Sequence, residues 1–126
     1  MSNVNITIAA TDRTPQLEVL FDQGQLLIKG ESYPEDVASF YGPVIEAVRQ
    51  LTASCAEISA SFELIYVNSS SMKALYRIFE VLQLKKSEGG VITILWKFEE
   101  DDDVMQELGE DFQDRFPELA FQLTPL

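Results

Sequence analysis

Asn68-Ser69-Ser70-Ser71, followed by Lys73, places three hydroxyls and an amine within six residues. Hydroxyls beside a cation can accept a phosphoryl group, because the cation and nearby backbone N–H groups can meet the added charge. The chemistry is plausible at this place because the hydrophobic period changes there. Phe62-Glu63-Leu64-Ile65-Tyr66-Val67 reads as a strand, and Leu64 to Val67 is apolar on consecutive positions, as in a strand covered on both faces. From Met72 the apolar residues fall at 72, 75, 78, 79 and 82, which is the spacing of one helix face. Residues 68–71 are therefore a polar turn opening a helix from about 70 to 86, where unpartnered N–H groups favour an anion. Lys73 then falls in the first turn, where the helix dipole disfavours a cation. The bland alternative is that Asn68 and the serines only cap the helix, since all are good N-cap residues. These residues by themselves leave Ser69, Ser70 and Ser71 open as acceptors, with Asn68 and Lys73 as phosphate or partner contacts.

Other chemistries find less support. The chain has no histidine, which removes Ser-His-Asp and Cys-His catalysis and any His-ligated metal. A Ser-Lys pair with Lys73 lacks a glycine elbow, and the turn has no glycine with which to cradle a nucleotide. Cys55 is the sole cysteine, so it forms no internal disulfide, and it reads as a small apolar residue at a helix-to-strand junction. The run Glu99-Glu100-Asp101-Asp102-Asp103 reads as a solvated loop capping the next helix rather than a cation site, because calcium-loop spacing is absent. No cofactor is implied. Tyr66 and Trp96 read as packing residues.

With 126 residues, 46% of them hydrophobic, the chain is long enough for one domain with a core, spanning 1–126. A net charge of -12 argues against nucleic acid or anionic lipid as partner. There is no signal-peptide pattern and no stretch long enough to span a bilayer, so a cytoplasmic location without membrane insertion is expected.

The elements that must position the serines follow from periodicity. Residues 1–13 are a loose arm or an edge strand. Residues 16–30 alternate around Asp22-Gln23-Gly24-Gln25, which predicts a β-hairpin. Pro34 with Glu35 and Asp36 predicts a helix start, and the helix runs to about residue 52 with a kink or an irregular first turn at Pro43. Gly89-Gly90 ends the serine-led helix, and Val91 to Phe98 reads as a central strand, apolar at nearly every position. Val104, Leu108 and Phe112 mark the face of a third helix, and Leu119 to Leu123 a last strand. This order predicts an α/β fold with a mostly parallel sheet, right-handed crossovers and the serine turn at a strand's carboxyl end, where such sheets bind ligands.

Tyr66-Val67-Asn68-Ser69-Ser70-Ser71-Met72-Lys73, with Ser32-Tyr33-Pro34-Glu35 and Thr14-Pro15, resembles the SiaC family of bacterial regulatory phosphoproteins, which have a STAS-like fold. The Asn-Ser-Ser run is also similar to the Asp-Ser-Ser turn of anti-sigma-factor antagonists. The resemblance implies a non-enzymatic switch. The hydroxyl residue just after Asn68, Ser69, is phosphorylated by a GHKL-type Ser/Thr kinase and dephosphorylated by a PP2C-type phosphatase. The unmodified form binds and activates a diguanylate cyclase, raising cyclic di-GMP and favouring biofilm formation. Ser69 departs from the family's Thr but keeps the hydroxyl. The alternative output is an anti-sigma-factor-like kinase whose capture frees a sigma factor. A small enzyme or ligand-binding domain would instead need activity that depends on Lys73 or the serines with no kinase present.

Overall fold

The computed structural model describes residues 4–126, so the first three positions of the expected arm lie outside the described residues. Along the chain run β1 (Ile6–Ile8), β2 (Gln16–Leu20), β3 (Gln25–Ser32), α1 (Val37–Ser54), β4 (Glu57–Val67), α2 (Ser69–Ser87), β5 (Val91–Phe98), α3 (Asp103–Arg115) and β6 (Ala120–Pro125). They form a mixed α/β unit with one six-stranded sheet in the order β1-β2-β3-β4-β5-β6. β1 and β2, and β2 and β3, pair antiparallel, while the pairs from β3 to β6 are parallel. The N-terminal hairpin is thus extended to three strands by β1, which settles the choice between arm and edge strand. In its turn Gly24 takes φ +64, and a Cβ there would lie 2.3 Å from the Glu57 carbonyl oxygen. Only glycine allows that backbone to approach β4.

Consecutive strands are neighbours and the order never reverses. Right-handed crossovers that all step the same way put every helix on one face. Burial along the strands follows: in β5, Ile92, Ile94, Trp96 and Phe98 are buried and the residues between them are not. β4 alternates in the same manner from Glu57 to Leu64. The reading of the end of β4 as covered on both faces is therefore corrected, since its second face carries no helix, while β5 is central as expected, lying between β4 and β6. An order without reversal also lacks the switch point at which open α/β sheets form a ligand crevice.

One boundary and one helix face also differ from the sequence reading. α1 starts at Val37 rather than Pro34, because Asp36 is the N-cap: its Oδ1 accepts from the Ser39 amide at 3.1 Å and Oδ2 from the Ser39 hydroxyl at 2.8 Å. Pro43 sits inside α1 on its exposed side, and the helix continues through it. It supplies no N–H to the Ser39 carbonyl, whose residue faces solvent and so loses little. α3 buries Met105, Gly109 and Phe112, while Val104 is exposed, so its inner face is turned by one residue from the expected one.

The core closes around Trp96, which is fully buried, stacks on Phe62 at 5.7 Å and donates its indole N–H to the Met105 carbonyl at 3.0 Å. Gly109 makes that approach possible: a Cβ there would fall 2.4 Å from Trp96 Cδ1. Phe79 meets Phe62, Phe112, Phe116 and Phe121, tying α2 to the sheet and to α3. Cys55 is half-buried at the end of α1, and its thiol donates to the Phe21 carbonyl at 3.3 Å.

Two outcomes test this packing. Gly109→Ala is expected to destabilise the fold by up to about 2 kcal/mol in urea titration, because an overpacking penalty of about 1–3 kcal/mol is offset by the ~1 kcal/mol of helix propensity gained. Hydrogen bonds from Ser39 hold the Asp36 carboxyl below its ordinary value of 3.8. A depressed folded-state value stabilises above the ordinary one, and the effect is lost as pH falls through the lower value. The stability gap between the parent and Asp36→Ala should therefore be present at pH 6 and shrink below about pH 4.

Candidate functional site

The serines are not a turn ahead of a helix; they are its first three residues. Asn68 is the N-cap of α2, and its side-chain oxygen accepts from the Ser71 amide at 2.9 Å. The Met72 amide closes on the Asn68 carbonyl at 3.0 Å. The amides of Ser69 and Ser70 have no carbonyl one turn back to bond to, and both residues are exposed. No acidic residue stands in this first turn, so the positive end of the helix dipole is uncompensated there.

The three hydroxyls separate by burial. Ser69 and Ser70 face solvent, whereas Ser71 is fully buried. Ser32, also fully buried, donates to the Ser71 hydroxyl at 3.0 Å and is hydrogen-bonded to the phenol of Tyr41. Because Ser32 spends its proton on Ser71, Tyr41 is the donor to Ser32. Burial raises the Tyr41 phenol above its ordinary value, with the two serine hydroxyls offsetting part of the rise, so it stays protonated and able to donate. Ser71 is thus a strut inside the protein, its side chain fully buried. Its hydroxyl ties the start of α2 to the end of β3 and to α1.

Lys73 is also relocated. Counting from Ser69, it is the fifth helical residue and lies one turn beyond Ser69 on the same side of α2, outside the first turn. The dipole conflict expected from the sequence is thereby relieved. Lys73 is exposed and forms no ion pair among the described residues. It lies on the wall of an open groove between α2 and α3. Asn68, Ser69, Ser70 and Lys73 thus remain together at one end of α2, and Ser71 leaves the set.

Residues that periodicity missed complete the surroundings. The β3–β4 ladder shifts register between Gly30 and Glu31, so Leu64 pairs with Gly30 but Tyr66 pairs with Glu31, and Ile65 is the extra residue. A bulge breaks alternation. Ile65 and Tyr66 are consequently both exposed, at 63% and 52%, immediately before the serines. Tyr66 packs edge-on against Tyr33, with ring centroids 5.7 Å apart. Tyr66 is therefore a surface residue, unlike Trp96, which is core as expected. Asp102, in the acidic run, caps α3 as read, its side chain accepting from the Met105 amide at 3.0 Å. No helix among the described residues is long and apolar enough to cross a membrane.

Ser32→Ala would leave the Tyr41 phenol and the Ser71 hydroxyl buried without their partner. Urea unfolding should show a loss of about 1–3 kcal/mol, the usual penalty for buried polar groups stripped of a hydrogen bond.

Comparison with known proteins places this geometry. Residues 8–126 match the model of the SiaC family regulatory phosphoprotein. An uncharacterized protein of Pseudomonas aeruginosa is 28% identical over 111 residues, covering 87% of this chain and 88% of the relative. The crystal structure of apo-SiaC from Pseudomonas aeruginosa superposes with a TM-score of 0.87 at 26% identity, covering 97% of this chain and 99% of that one. The structure of the diguanylate cyclase SiaD in complex with its activator SiaC, from the same organism, matches with a TM-score of 0.91 at 26% identity, over 96% of this chain and 99% of the matched one.

Proposed function

We propose, from a chain that belongs to the SiaC family of regulatory phosphoproteins, that it is a non-enzymatic cytoplasmic switch whose unmodified form binds and activates a diguanylate cyclase. Ser69 is the residue that throws the switch. A GHKL-type Ser/Thr kinase transfers the γ-phosphoryl group of ATP to the Ser69 hydroxyl oxygen. The new O–P bond forms as the bond to ADP breaks, and the hydroxyl proton passes to a base on the kinase. A PP2C-type phosphatase reverses the change with water, releasing inorganic phosphate.

The observation that carries this reading is the state of the α2 N-terminus. It offers an exposed Ser69 hydroxyl, two amides without intrahelical acceptors and no acid in the first turn. A phosphate of about -1.5 to -2 charge is stabilised there by the dipole, the amides and Lys73 one turn along. Ser70 is exposed as well and shares the amides, but Lys73 lies four residues from Ser69, on its side of the helix. Without phosphate the Ser69 side chain is a small uncharged hydroxyl beside the exposed Ile65 and Tyr66, which suits docking of a protein. Adding the phosphate places a strongly hydrated charge in that contact, and desolvating it opposes binding.

The test uses protein from its native cells. Mass spectrometry should find phosphate on Ser69. Ser69→Ala should keep the cyclase bound and cyclic di-GMP high at all times, while Ser69→Glu should lose both. Phosphate confined to another residue, or recovery of a sigma-factor inhibitor in place of a cyclase, would overturn the proposal.

A further inference from the structure

The groove beyond Lys73 has a composition out of keeping with the rest of the molecule. It encloses about 630 Å³ between α2 and α3. Met72, Tyr76, Leu108 and Phe112 give it an apolar lining. Lys73, Arg77 and Arg115 stand along it, three of only nine basic residues in a chain of net charge -12. None of the three is ion-paired among the described residues, although Glu80 and Asp111 line the same groove. Arg115 instead rests over the Tyr76 ring, 6.0 Å from its centroid. Cations left unpaired on a molecule this acidic are available to a partner's carboxylates.

The groove is also continuous with the switch. Ser69, Lys73 and Arg77 follow one another at four-residue steps, so they form one stripe along α2. Ser69 lies at the open end of that stripe. We infer that the α2–α3 groove receives an acidic amphipathic segment of the diguanylate cyclase. The segment's apolar side chains seat on Tyr76 and Phe112, and its carboxylates face Lys73, Arg77 and Arg115. The inference rests on the reading under Proposed function and adds the surface, the chemistry of the partner segment and the means of control. Phosphate on Ser69 puts negative charge at the head of the cationic stripe and occupies Lys73, so it repels the partner's acids from the ground they use. Glu80 and Asp111, which line the same groove, repel the segment's carboxylates and so hold them to the positions of the three cations.

The test has two arms on the full chain in its native cells. In the first, a photo-crosslinking amino acid replaces either Leu108 in the groove or Val91, an exposed residue at the start of β5. Leu108 should crosslink to an acid-rich segment of the cyclase and Val91 should not. In the second, Arg77→Glu and Arg115→Glu should each weaken cyclase binding on the order of tenfold or more, while Lys86→Glu, the same charge change near the far end of α2, changes it less than about twofold. The groove inference is overturned, with the function reading intact, if the cyclase binds but crosslinks only from Val91, if the captured segment is not acidic, if Leu108 captures a second copy of this chain, or if both reversals bind as the parent does. If no cyclase is bound by any unmodified form, the function reading fails and the groove inference falls with it.

Discussion

All the crossovers of this sheet step in one direction, and nearly everything else follows from that. Three helices must seal one face of six strands, because the order β1 to β6 never reverses. The sealed face carries Trp96, Phe62, Ile94 and Ile28, and Phe79 joins it from α2. α3 can lie close only because Gly109 has no side chain to meet Trp96. The open face is held by smaller means: Glu63 receives both Lys29 and Lys97, at 3.5 and 3.6 Å. A molecule built this way has no crevice at a strand reversal. Its recognition surfaces have to lie at helix ends, between helices or on the bare sheet.

The start of α2 is the best anchored of the helix ends. Asn68 caps it, the Asn68 amide reaches the Ser32 carbonyl at 3.0 Å, and the Tyr41–Ser32–Ser71 hydroxyl chain holds it from beneath. A buried chain in which every hydroxyl has a partner fixes geometry, because each group would lose its partner if the helix moved. The two serines above it are thereby held on a rigid base, outside the core and free of competing charge.

Helix and strand identities were legible because each has a period the side chains repeat. The stretch from Met72 to Leu82 announces α2, Asp102 announces α3, and the hairpin turn shows in Asp22 to Gly24. The errors share a cause as well. Pro34 looked like a helix start because Asp36, two residues later, could equally be read as a first-turn acid. Val104 falls on the expected inner face because Met105 and Gly109 give no periodic sign that Trp96 lies beneath them. Ile65 and Tyr66 read as part of a doubly covered strand because a bulge is a property of two strands in register, and one strand's sequence does not contain it.

The sequence by itself determined the chemistry on offer: no histidine, hydroxyls after Asn68, a cation four residues beyond Ser69 and a strongly acidic balance. Those are matters of residue type and local spacing, which no folding can alter. Tertiary structure decided which hydroxyl is reachable, since Ser71 turns inward only because Ser32 and Tyr41, far off along the chain, arrive beneath it. It also brought Arg115 over Tyr76 and opened a groove between two helices that are separate in the sequence. Burial and charge proximity depend on distances across space, and those exist only once the sheet has set the helices side by side.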